Sequence, residues 1–285
     1  MKVLRLTSKD YNHLKPYDIG DKVLHTESEF FYVPHSSKEI IKYYISDDED
    51  YLSRKILTFS NLTIFNNEYP IEELIMPNGI VLLHDDFKGI ILPKKSGINA
   101  SVYLRNKNVP IKTKIDILKQ IGLIIRKVAS ADPSTNAALA DVHGDNFIVE
   151  NKTKKVYALD TDGMSVYDSV GRTNYYLYHN PWVRNCDKYE YNYVGLIKGT
   201  TKTDIFCFIM MILQVISDYK SIFRVNLDEY LAYIGYLDHL GFDTHLIEAF
   251  VSIALDKQDN INPVDYLDDL NRISPESSIK TFRRY

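Results

Sequence analysis

The chain has 285 residues, of which 45% are hydrophobic and 25% charged, and its formal net charge is −4. This balance supports a sizeable core and excludes an intrinsically disordered chain. No basic excess or long run of one sign is present, which argues against a dedicated nucleic-acid binder.

The first segment, MKVLRLTSKDYNHLKPYD, lacks the apolar stretch of a signal peptide, so a cytoplasmic location is expected. Lys22–Leu24, Phe30–Val33 and Ile40–Ile45 are rich in Val, Ile, Phe and Tyr and read as strands. Asp47, Asp48 and Glu49 then lead into Leu52, Ile56, Leu57 and Phe59. That spacing suits a helix with acidic residues at its N-terminus. Ile80–Leu83 and Gly89–Leu92 read as two further strands, with Asp85 and Asp86 in the turn between them.

After Pro93 the pattern changes. Ile115, Leu118, Ile121, Ile125 and Val128 mark an amphipathic helix over Ile111–Ser130, ended by Asp132-Pro133. Phe147–Val149 and Val156–Leu159 read as a short hairpin. Residues 164–200 have no regular pattern, and helical patterns resume over 203–217, 226–239, 244–256 and 263–271. The most apolar run, Ile205–Ile216, is too short to span a bilayer and reads as a buried helix, with Cys207 as a buried thiol. Neither Cys207 nor Cys186 has a CxxC partner, which fits a reducing compartment. A strand-rich part with one helix is thus followed by a helix-rich part with a hairpin. That is an α+β arrangement of two lobes, and a cleft between lobes is a common small-ligand site.

The stretch LADVHGDNFIVENKTKKVYALDTDGM, residues 139–164, carries the chemistry. Asp141 precedes Asn146 by five positions, and Asn146 runs into the apolar FIV; VYAL ends in Asp160. Phosphoryl transfer needs positioning and charge neutralisation more than covalent help. Mg²⁺ prefers carboxylate and amide oxygens beside phosphate oxygens, and a second carboxylate can take the proton of an attacking hydroxyl. Asn146 and Asp160 at facing ends of a hairpin would fix a metal rigidly. HGDN by itself also has the composition of a polar turn.

Leu139-Ala140-Asp141 with Asn146-Phe-Ile-Val resembles the catalytic loop of the protein kinase superfamily, HRDxxxxN followed by a strand. Asp160 in DTDG resembles the Asp of DFG. The resemblance implies a bilobal protein-kinase-like fold, with residues 1–95 as N-lobe and 96–285 as C-lobe of one catalytic domain. It implies ATP and Mg²⁺ as cofactors and a protein or small-molecule hydroxyl as substrate. Asp141 would be the catalytic base, and Asn146 and Asp160 the Mg²⁺ ligands, with Asp162 as an alternative ligand. His143 takes the place of a Lys that contacts the γ-phosphate.

Glu39-Ile40-Ile41-Lys42 resembles the VAIK strand, so Lys42 would hold the α- and β-phosphates. Glu49 is the nearest acidic candidate for its partner, although aligning the helix by its apolar residues puts Ser53 at that position. Gly89–Leu92 with Pro93-Lys94-Lys95 resembles the fifth strand and hinge. Leu92 would be the gatekeeper, and Pro93 C=O and Lys95 N–H the adenine contacts. Asp204 resembles the kinase helix Asp that anchors the catalytic loop, and would equally serve as a helix cap.

Several positions depart from the family. LHTESEFFYV, residues 24–33, contains no glycine where a glycine-rich loop is expected, and Glu27 and Glu29 would repel phosphates. LAD lacks the Arg that pairs with an activation-loop phosphate. Ile40 replaces a small Ala beside adenine, Ile209 stands where a Gly is common, and no APE occurs within 164–200. His143-Gly144-Asp145 also begins the HxDxxxxN pattern of aminoglycoside- and choline-kinase-like enzymes, but Glu150 occupies its Asn position. An active Ser/Thr-type kinase is the leading expectation, ahead of a pseudokinase and a small-molecule kinase.

Overall fold

A computed structural model describes residues 2–17, 27–173, 197–216, 227–255 and 261–272. The strand expected at Lys22–Leu24, the first part of the glycine-free segment and Cys186 lie outside the described residues. The fold is mixed α+β.

Strands β1 (Lys2–Leu6), β2 (Ser28–Tyr32), β3 (Glu39–Tyr44), β4 (Gly79–Leu83) and β5 (Asp86–Pro93) form one sheet in the order β1-β4-β5-β3-β2. All neighbours are antiparallel except β1 and β4. Alternation along β3 sends its residues to two different faces. Ile40 and Tyr44 pack with Phe59, Ile90 and Leu92, whereas Ile41 and Tyr43 pack with Leu6, Phe31 and Val81. Lys42 shares the strand parity of Ile40 and Tyr44. Strand β1 is not apparent from the sequence, because it is a short edge strand that carries Lys2 and Arg5 and buries little but Leu6.

Between β1 and β2 lies the one-turn helix α1 (Ser8–Tyr11), capped by Thr7. Helix α2 (Glu49–Glu68) starts where Asp48 accepts from the N–H groups of Asp50 and Tyr51. It runs well past Phe59, because Leu62 and Phe65 continue its buried face into the main core.

Beyond β5, β6 (Gly97–Asn99) pairs with β7 (Phe147–Glu150), which pairs with β8 (Val156–Ala158). Helix α3 (Ala100–Arg105) follows β6, and α4 (Ile111–Ala129) turns Ile115, Leu118, Ile121, Ile125 and Val128 into the core as the spacing predicts. Helices α5 (Thr201–Ile216), α6 (Leu227–His239) and α7 (Thr244–Leu255) complete that core. In α5 every residue from Thr203 to Ile216 is buried, Cys207 among them. The last expected helix, Pro263–Arg272, is a 3₁₀ helix. Among the described residues no helix is long and apolar enough to cross a membrane.

Gly89 governs how closely β5 approaches β3 beside Lys42. A Cβ at this position would collide with the Lys42 carbonyl oxygen and lie 3.1 Å from Tyr43 Cα. Both obstacles are backbone and cannot rotate away. Gly89→Ala is therefore expected to lower the unfolding free energy by about 1–3 kcal/mol, measured by denaturant titration.

Candidate functional site

The turn between Leu139 and Asn146 is held from beneath by α5. Asp204, almost fully buried, accepts the Leu139 N–H at 2.7 Å and the Ala140 N–H at 2.9 Å, one on each carboxylate oxygen. Burial pushes the Asp204 pKa up to about 7 against the pull of those two bonds, and the charge of Asp141 adds to the rise. Ala140 has a left-handed backbone, φ 72. A Cβ on Gly171 or Gly199 would strike the Ala140 Cβ, so both glycines are required for that fit. Non-glycine residues in this region cost about 1–3 kcal/mol and persist where the surroundings over-determine them.

Within the turn, Asn146 donates its side-chain N–H to the Asp141 carbonyl at 2.9 Å. The amide orientation is fixed, and Asn146 Oδ1 is left as the acceptor available to a ligand. The Asp141 carboxylate lies 3.4 Å from His143 Nε2, through Oδ2. Its other oxygen, Oδ1, is buried and has no hydrogen-bond partner among the described residues. Burial opposes the charge on His143, but the hydrogen bond with Asp141 and the charges of Asp141, Asp145 and Asp160 outweigh it, so its pKa is raised. Asp145 accepts from the Ser101 hydroxyl.

The β7–β8 hairpin brings the second half of the site to the first. The Leu159 N–H donates to the Asn146 carbonyl at 2.8 Å, which sets Asn146 and Asp160 at the same end of the hairpin. Asp160 is also left-handed, φ 54, and its side chain is 41% exposed. Asp162, two residues on, has a side chain only 2% exposed. Both Asp162 oxygens are occupied: Lys42 donates to Oδ1 at 2.7 Å, and Lys55 and the Tyr44 hydroxyl donate to Oδ2 at 3.0 and 2.9 Å. Lys42 also donates to Asp160 Oδ1. Burial works against ionising Asp162, but Lys42 and Lys55 outweigh it and hold its pKa well below the usual carboxylate range. Burial likewise opposes the Lys42 charge, and Asp160 and Asp162 more than restore it.

These groups open onto one cavity of about 820 Å³. Ile40, Leu92, Pro93 and Lys95 line it, as do Lys42, Asp141, His143, Asn146 and Asp160. Seven of the eight site residues expected from sequence therefore share one cavity. Glu49 is the exception. It lies exposed in the first turn of α2 and does not line the cavity, and Ser53 is also exposed. The α2 residue at the level of Lys42 is Lys55, and the carboxylate that Lys42 needs comes from Asp162. Lys42 and Tyr44 share strand parity, and Tyr51 and Lys55 share helical spacing, so both patterns were present in the sequence. A search for a helix glutamate passes over a lysine.

Asn146 and Asp160 offer hard oxygens at one end of the hairpin, whereas Asp162 is saturated by three donors and is unsuited to hold a metal. Among the described residues no three His, Cys, Asp or Glu side chains converge on a metal position. Mg²⁺ does not require such a cage, because it binds through one or two protein oxygens together with phosphate and water. No protein-family model matches this chain, and no curated protein matches it.

Removing the Asp162 carboxylate would strand the Lys55 ammonium and leave Lys42 with Asp160 alone. Asp162→Ala is expected to cost about 3–5 kcal/mol of stability, read from denaturant unfolding. Asp204→Asn turns an amide N–H₂ toward one of the two backbone N–H groups, with an expected loss of about 1–3 kcal/mol. Folding raises the Asp204 pKa from 3.8 to about 7, so in that interval the folded chain binds a proton that the unfolded chain has released. Wild-type stability relative to Asp204→Asn should therefore rise as pH falls through that window, measured by thermal unfolding of both proteins across it.

Proposed function

We propose that this chain is an ATP- and Mg²⁺-dependent phosphotransferase with a bilobal protein-kinase-like fold, residues 1–95 as the N-lobe and 96–285 as the C-lobe. It transfers the γ-phosphoryl group to a hydroxyl. The observation that carries this reading is Asp141, whose carboxylate is 29% exposed and lines the cavity that also holds Lys42, Asn146 and Asp160. A carboxylate open to a cavity beside phosphate-binding groups can accept a substrate O–H.

In this reading Asp141 orients the acceptor hydroxyl and takes its proton as the oxygen bonds to the γ-phosphorus, while the bond to the β,γ-bridging oxygen breaks and ADP leaves. Asp145 already has a hydroxyl partner in Ser101, which favours Asp141 over Asp145 as base. Lys42 is the phosphate-facing cation, and His143, which lies beside Asp141, would meet the transferring group. Asn146 Oδ1 and the exposed carboxylate of Asp160 would hold Mg²⁺, which supplies charge neutralisation at the phosphates. Adenine would lie against Ile40 and Leu92, beside the Pro93–Lys95 segment. A nucleotide-binding module without transfer is the second reading. It is favoured by Glu27, which lines the cavity where a phosphate-covering loop would carry glycine.

Incubation with Mg²⁺ and γ-labelled ATP tests the reading. Label is expected on the protein or on a generic hydroxyl substrate. Asp141→Ala should reduce the rate by about 100- to 10,000-fold, and Asp160→Ala should abolish transfer. Wild-type protein that binds ATP and transfers nothing would refute it in favour of the second reading.

A further inference from the structure

Asp162 has more cationic partners than it needs. Lys42 alone would balance the Asp162 charge, yet Lys55 joins the Tyr44 hydroxyl on Oδ2 and also donates to the Asp162 carbonyl, at 3.3 Å. The side chains of Lys42 and Lys55 are 10% and 17% exposed, and both line the cavity. Two ammonium groups are therefore fixed side by side, one on each oxygen of a single buried carboxylate. The rings of Tyr44 and Tyr51 flank Lys55, its nitrogen 5.3 and 5.7 Å from their centroids.

Within this cluster Lys42 contacts both Asp160 and Asp162, and Lys55 contacts Asp162, so two lysines meet two carboxylates only while Asp160 counts. Asp160 is the exposed member and the one suited to bind a cation. Once its charge is committed to a metal, Lys42 and Lys55 share the single carboxylate of Asp162. Glu27, Ser28 and Phe30 also line the cavity, from a segment without the glycines that let backbone N–H groups approach an anion.

We infer that Lys55 is a second polyphosphate-binding cation, aligned with Lys42 by their shared carboxylate Asp162, and that the ligand it selects is a nucleoside polyphosphate. The inference rests on the nucleotide reading above. It assigns to α2 a cation that touches the ligand, where a purely structural Lys55 would only neutralise Asp162.

Affinities of the full chain for Mg·ATP and for adenosine separate these roles. Lys55→Gln keeps an N–H donor for Asp162 and removes the charge, so the fold is retained; thermal unfolding checks this. Lys55→Met removes both, and Lys55→Arg keeps both. The expected result is ATP binding at least about tenfold weaker in Lys55→Gln and Lys55→Met, from the loss of one charged hydrogen bond. Adenosine binding should be unchanged, and Lys55→Arg should stay near wild type. Wild-type affinity for ATP in folded Lys55→Gln, or equal losses for ATP and adenosine, would overturn the inference alone. Failure of the wild-type protein to bind ATP would overturn it together with the nucleotide reading.

Discussion

A carboxylate as buried as Asp162 can stay ionised only if the chain brings charge to it, and two separate segments do so. Lys42 and Tyr44 arrive from β3, Lys55 from α2, and Asp162 itself sits in the turn after β8. Breaking any one contact leaves a charge or a polar group stranded in low dielectric, so the sheet, the helix and the turn are fixed relative to one another. Further bonds fasten α2 to the same segment. Asn61 donates to the Ser169 hydroxyl at 2.9 Å and the Tyr167 hydroxyl donates to Glu68 at 2.6 Å. Thr161 donates to the Ile75 carbonyl at 2.7 Å, which ties the turn to the chain just ahead of β4.

The second anchor is Asp204, which does for the 139–146 turn what Asp162 does for β3 and α2. It holds Ala140 in a left-handed conformation from below, with Gly171 and Gly199 packed against the methyl group. Asp160 is left-handed as well. Two strained, non-glycine residues beside one cavity fit a site whose geometry matters more than local comfort. They also separate two kinds of acid. Asp162 and Asp204 are consumed by structure, whereas Asp141 and Asp160 keep oxygens that a ligand can reach. The proposed chemistry relies on that division.

Much of this was legible in the sequence. Period-two and helical spacing located most strands and helices because those elements bury one clear face. The five-residue interval from Asp141 to Asn146, the hairpin and Asp160 located the cavity because each sits at the end of a regular element. The Asp204 anchor was also readable, as an Asp in the first turn of a largely apolar helix. What escaped were pairings between distant segments. Nothing local in YLSRKILTF distinguishes Lys55 from a solvated helix lysine, and nothing in DTDG tells which Asp is buried; burial is decided by what packs above. Glu49 illustrates the reverse error. Its charge and proximity in sequence fit the role of a Lys42 partner, but an acidic residue in the first turn of a helix is already well placed in solvent. Edge strand β1 was invisible for the related reason that an edge strand buries too little to impose a pattern.

The central claim is that Asn146, Asp160 and Lys42 together receive the phosphates of ATP. A crystal structure with Mg²⁺ and a non-hydrolysable ATP analogue tests it most directly. The account requires Asn146 Oδ1 and the Asp160 carboxylate on one metal ion, with Lys42 at the phosphates and still held by Asp162. A nucleotide bound elsewhere, or a metal held by Asp162 instead, would contradict it.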